Sequence, residues 1–178
     1  MKARITALTL GTVGALMLAG VALAGSGLLT FGTADVTLSK HASAHIVVGD
    51  GEYGGVYRKG TPSKLLKKVK LHFISFGDVQ GGAPRWSIPV STDADVTTVE
   101  GYAFLDAAGC GATVGDNPTE IPTLVSTKSD TCKVNFLGVD YANWKALAAA
   151  FPTAREAKAI PFVIADVPGD YSVTRVSS

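Results

Sequence analysis

Apolar side chains in this chain recur mostly at every second position, and that period restricts the fold more than any other feature. In "VKLHFISF", residues 69–76, Val69, Leu71 and Phe73 share one face, and Lys70 and His72 share the other. In "RWSIPV", Trp86, Ile88 and Val90 face one way, and Arg85, Ser87 and Pro89 the other. Successive side chains of a strand point to opposite faces, whereas a helix repeats every 3.6 residues. "GYAFLD" at 101–106 and "CKVNF" at 132–136 alternate likewise. "IPFVIAD" at 160–166 is apolar on both faces, as a central strand is, and "YSVTRV" at 171–176 reads as a closing strand. Turn signals separate the runs: Gly81-Gly82, Asp116-Asn117-Pro118 and Pro168-Gly169-Asp170. Pro168 presets the second position of a type II turn, and Gly169 suits the positive φ of its third. Short strands punctuated in this way predict an all-β chain folded as a single antiparallel β-sandwich.

One helix interrupts the pattern. In "YANWKALAAAFP", Asn143 is an N-cap, and Trp144, Leu147, Ala148 and Phe151 follow at i, i+3, i+4 and i+7. Pro152 disfavours the α conformation at Phe151, so the helix covers about 143–151. Two turns are too short to stand alone. The helix is expected to lie on the sandwich and plug one open end with Trp144.

The N-terminus reads as an export signal. Lys2 and Arg4 precede an uncharged run from Ile5 to Ala24, which ends in the small-x-small triplet Ala22-Leu23-Ala24. The competing reading is a membrane-spanning helix, because the run is long enough to cross a bilayer. Glycines together with Thr6, Thr9 and Thr12 dilute it, and no basic stop-transfer cluster follows. The resulting division is a signal peptide at 1–24, an N-terminal apolar arm or first strand at 25–45, and the sandwich domain at 46–178. Membrane contact is expected only through the N-terminal segment if it stays uncleaved. Removing Lys2 and Arg4 leaves 14 basic side chains against 15 acidic ones. That balance excludes a strongly basic nucleic-acid binder. Cys110 and Cys132 are the only cysteines, and an even count in an exported chain predicts one disulfide. It would close a loop of about 23 residues and contribute roughly 3 kcal/mol.

"GGAPRWSI" followed by an acidic turn, "GYAFLDAAGCG", "CKVNF", "YANWKALAAAFP" and "PFVIADVPGDYSV" form a string of blocks over about residues 64–176. Together they resemble a class of uncharacterised secreted β-sandwich proteins. The resemblance implies a jelly-roll-like sandwich similar to carbohydrate-binding modules. It carries a fold and not an activity.

Trp86 shares a face with Ile88 and Val90 and reads as core. Arg85, opposite, is able to grip a carboxylate or sulfate bidentately, or to pair with a neighbouring acid. Pro89 donates no ladder hydrogen bond, which places its strand at an edge or a bulge. Gly81-Gly82 has no phosphate-loop context and reads as a hairpin connection. Asp93-x-Asp95 with Glu100 downstream offers oxygen ligands for a structural calcium, yet Val96 breaks the EF-hand pattern, and an ordinary acidic turn is favoured. No metal or other cofactor is favoured. His41 and His45 in "KHASAH" fall on one face of a helix or strand, but only His72 remains as a third histidine for a zinc site. No G-x-S-x-G elbow occurs, and no catalytic residue is assigned. Residues 58–70, "RKGTPSKLLKKVK", hold six positive charges and no negative one. They suit an edge-protecting lysine row, or contact with an anionic wall polymer or lipid headgroup.

Two functional readings follow. The first is a secreted, non-catalytic binding module for a surface polysaccharide or other polymer, with Tyr53, Tyr57, Tyr141 and Arg85 as its contact residues. The second is a self-associating structural subunit of an extracellular fibre or coat. Low charge density, abundant small residues and a stapled sandwich suit it.

Overall fold

In the computed structural model, residues 27–60, 62–93, 95–115 and 121–177 are described. The proposed signal segment and the Asp116-Asn117-Pro118 turn lie outside them. The strands are β1 (Leu29–Gly32), β2 (Asp35–Ser39), β3 (Ser43–Val48), β4 (Gly54–Tyr57), β5 (His72–Gly77), β6 (Arg85–Ser91) and β7 (Gly101–Asp106). Then come β8 (Thr123–Ser126), β9 (Val134–Phe136), β10 (Val139–Tyr141), the helix α1 (Trp144–Ala150), β11 (Arg155–Glu156), β12 (Phe162–Ala165) and β13 (Gly169–Ser177).

They form two antiparallel sheets. One runs β1-β4-β12-β6-β7-β9-β10, with β11 also on β6, and the other runs β2-β3-β13-β5-β8. Removing the edge additions leaves β4-β12-β6-β7 against β3-β13-β5-β8. Numbered one to eight along the chain, these strands lie in the orders 2-7-4-5 and 1-8-3-6, the double Greek key of a jelly roll. The predicted closing strand is therefore the centre of its sheet, with β13 between β3 and β5. β12 lies between β4 and β6, as its two apolar faces predict.

The inward faces obey the period of two. Phe73, Trp86, Ile88, Val90, Ala103, Leu105, Val134, Phe136, Val163, Tyr171 and Val173 are all buried in one core. The N-terminal segment belongs to it. Leu28 is 1% exposed, and β1 pairs with β4 from Leu29↔Tyr57 to Gly32↔Gly54. Residues 29–45 thus supply β1, β2 and half of β3, packed in cis. Asn143 caps α1 by accepting from the Ala146 backbone N–H at 2.9 Å. Trp144 donates to the Leu66 carbonyl at 2.8 Å, which ties the helix to a single 3₁₀ turn at Leu66–Lys68. Cys110 and Cys132 form the predicted disulfide, linking the segment after β7 to the start of β9. Among the described residues, no helix is long and apolar enough to cross a membrane.

Several local expectations are corrected. Of the edge or bulge expected at Pro89, the edge is excluded, since β6 has β7 on one side and β12 and β11 on the other. The partner chain breaks instead. Ser87 pairs with Phe162 and Val90 with Glu156, so three steps along β6 face six along the partner. Pro89 lies opposite that excursion and needs no donor there, while its carbonyl still accepts from Ala157. Gly169 does not take a positive φ. It opens β13, and a Cβ there would meet the Tyr171 hydroxyl at 2.8 Å, so close packing selects the glycine. That hydroxyl donates to the Val167 carbonyl at 2.8 Å and pins the β12–β13 connection. Burial, with Asp78 and Asp166 nearby, pushes its pKa up to about 12. His41 sits in the β2–β3 turn at φ 60°, so it shares no strand face with His45, which pairs with Asp170 at 2.6 Å. The lysine run is no strand edge, because it forms a loop and the 3₁₀ turn at one end of the sandwich.

Candidate functional site

Register sets which side chains meet on the outer face of the larger sheet. Strand pairings place Leu29, Tyr57, Phe162, Ser87, Phe104, Asn135 and Asp140 in one row across the outer face of the larger sheet. Phe31, Gly55, Ile164, Arg85 and Asp106 form the adjacent row. Residues on one face at matching register must touch, and the rings do. Phe31 meets Tyr57 at 6.3 Å and packs edge-on against Phe162 at 5.1 Å. Phe162 meets Tyr102 at 5.9 Å. Tyr102 and Phe104, two apart on β7, have ring centroids 6.5 Å apart and planes within 14° of parallel. Five rings thus run continuously across the sheet. Gly55 makes room for them, because a Cβ there would come within 2.8 Å of the Phe31 ring.

The row ends in polar groups. Arg85 lies with its guanidinium carbon 5.2 Å from the Phe104 ring centre, a cation–π contact of about 0.5–1 kcal/mol. Asp166 holds both arms of the guanidinium, at 2.6 and 2.5 Å. The bidentate grip expected of Arg85 is therefore spent inside the protein, and the residue is a rigid planar rim. Beside it opens a cleft of about 340 Å³, lined by Gly82, Arg85, Phe104, Asp106, Asn135 and Asp166. Gly81 and Gly82 both have positive φ, 53° and 83°, which builds the tight Gln80–Ala83 turn that walls it. Asp106 accepts from the Gly109 N–H at 2.6 Å, and Asn135 donates to Asp140 at 2.7 Å. Arg85 and Asp166 neutralise each other, so the Asp106 carboxylate gives the cleft a negative bias.

Of the tyrosines singled out from sequence, only Tyr57 joins this row. Tyr53 is 41% exposed at the far end of β4, and Tyr141 packs on Phe151 at 6.3 Å beside the helix. Phe31, Tyr102, Phe104 and Phe162 were missed. Their signal was present in "GYAFLD", where the face opposite Ala103 and Leu105 carries the rings. Larger aromatics suggest core, but the small face turned inward. Asp93, Asp95 and Glu100 do not converge. Asp93 accepts from Ser91 and the Asp95 N–H, and Glu100 accepts from Thr92. Asp95 accepts from the Thr97 side chain and backbone, which holds its carboxyl below the usual range. Among the described residues, no three His, Cys, Asp or Glu side chains are grouped to hold a metal. The chain matches no known protein family, curated protein or solved structure.

Proposed function

We propose that this protein is a secreted, non-catalytic binding module that holds a polysaccharide across the outer face of its larger sheet. One observation carries the reading: five rings in contact, ending at a polar cleft, on a face that the core does not need. Tyr102 is 38% exposed, and rings turned outward on a sheet gain less from folding than rings turned inward. A pyranose presents an apolar C–H face and equatorial hydroxyls. The first suits the nearly parallel planes of Tyr102 and Phe104, and the second suits the Asp106 carboxylate and Asn135 amide. The negative bias of the cleft favours a neutral glycan over an acidic one. The Cys110–Cys132 bond suits an oxidising, extracellular compartment.

Affinity electrophoresis through gels containing glucan, xylan, mannan or chitin derivatives tests this. At least one should retard the protein, and joint Tyr102→Ala and Phe104→Ala substitution should weaken that retention by about tenfold or more, near 1.4 kcal/mol. Joint Tyr53→Ala and Tyr141→Ala substitution should leave it unchanged. No retardation by any neutral polysaccharide, or equal loss in both double variants, refutes the reading. Intact mass of the exported protein should begin at Gly25.

A further inference from the structure

Two clefts of about 410 and 360 Å³ adjoin at one end of the sandwich, and both are lined by lysines. The first takes Lys64, Lys68, Lys70 and Lys128, and the second takes Lys67, Lys70, Lys128 and Lys145. Six cations from three separate stretches of chain thus share one continuous track. No acidic side chain lines either cleft, and none of the six makes an ion pair among the described residues. Glu156 is 3% exposed and lies with Lys64 in a separate crevice, and Asp130, two residues after Lys128, lines neither cleft.

Buried hydrogen bonds hold this convergence together. The Thr127 hydroxyl accepts from the Leu71 N–H at 3.0 Å and donates to the Val69 carbonyl at 3.2 Å, which sets Lys70 beside Lys128. The Trp144–Leu66 bond sets Lys145 against Lys67 and Lys68. Gathering like charges costs stability, yet the fold does so in a chain of formal net charge only +1. The track lies by the C-terminal end of β6, where Leu65 bridges Arg155 opposite Ser91. The aromatic row ends at Arg85, at the other end of β6, roughly 20 Å away at about 3.3 Å per residue.

We infer that this track is a second binding site, for a linear polymer carrying phosphate groups. Lysine is a compact point charge suited to tetrahedral, charge-dense anions, whereas planar carboxylates are matched better by arginine, and among the described residues no arginine lines either cleft. Two clefts joined through the shared Lys70 and Lys128 offer successive cations to a strand of polymer. A bilayer surface fits less well, because among the described residues none of the exposed large hydrophobic side chains lines the clefts to insert among lipids. The site is independent of the glycan reading of the aromatic face.

The test is titration of the full mature protein with inorganic polyphosphate, at low and at physiological salt. Wild type should bind at low salt and lose at least about tenfold in affinity at the higher salt, as released counterions require. Joint Lys68→Gln, Lys70→Gln and Lys128→Gln substitution should weaken binding at least tenfold without lowering the melting temperature. Joint Lys40→Gln, Lys133→Gln and Lys158→Gln substitution removes as much charge elsewhere and should change affinity less than twofold. Absence of polyphosphate binding, equal loss in both triple variants, or binding to phosphatidylserine–phosphatidylcholine vesicles but not to polyphosphate would overturn the inference. Loss of polyphosphate binding with glycan retention intact separates the two sites.

Discussion

Leu28→Ala is the most informative single change to the N-terminal strand. Leu28 immediately precedes β1 and is 1% exposed, within the same core cluster as Val56 and Val163. Replacing a fully buried leucine by alanine removes transfer free energy and leaves a cavity, at a cost of about 2–5 kcal/mol. For a domain of this size each kcal/mol lowers the melting temperature by roughly 2–4 °C, so a fall of about 4–20 °C is expected. Leu29 supplies the internal comparison. It is half-buried on the outer face opposite Tyr57, so Leu29→Ala should cost well under half as much. Because the segment packs in cis, both melting temperatures should be independent of protein concentration. A strand borrowed from a neighbouring copy would make them rise with concentration. Differential scanning calorimetry over a wide concentration range is the assay. A Leu28→Ala shift below 2 °C, or a concentration-dependent midpoint, refutes the cis packing.

Joint Cys110→Ala and Cys132→Ala substitution should lower urea stability by about 3 kcal/mol, because the bond closes a loop with a sequence separation of 22. An unchanged midpoint would refute this. Burial raises the Glu156 carboxyl pKa above its usual 4.5, with Lys64 pulling partly the other way. The folded state then holds that proton more tightly than the unfolded state, so stability falls as pH rises from 4.5 through the raised value. Glu156→Gln should therefore gain on wild type progressively across that range, and a difference flat with pH in urea titrations would refute the reasoning. Chelation should leave the melting temperature within error, since Asp93, Asp95 and Glu100 are engaged in their own turns. A drop of several degrees would show an essential ion there.

Much of the architecture was legible locally. Trp86, Ile88 and Val90 alternate with Arg85, Ser87 and Pro89, and that spacing alone assigns β6 and its inward face. Asn143 and Pro152 bracket α1 because capping and pyrrolidine sterics act within one turn. The aromatic row was not legible. Its members sit on β1, β4, β7 and β12, and no local signal says that Phe31, Phe162 and Phe104 share a face. Period two says which residues of a strand lie together, but not which of the two faces is covered.

What the sequence by itself determined was the set of short-range terms: strand period, helix cap, and a pair of cysteines able to join. Each depends on residues a few positions apart, where sterics and hydrogen-bond geometry leave little choice. The tertiary structure decided the rest. It placed β13 in mid-sheet, admitted Pro89 to an interior strand by breaking its partner, turned Ala103 and Leu105 inward, and gathered six lysines from 64–70, 128 and 145 at one end. Those outcomes rest on which strands pair and which face excludes most water. Such choices are made by the summed burial of the whole chain, and no window of the sequence contains that sum.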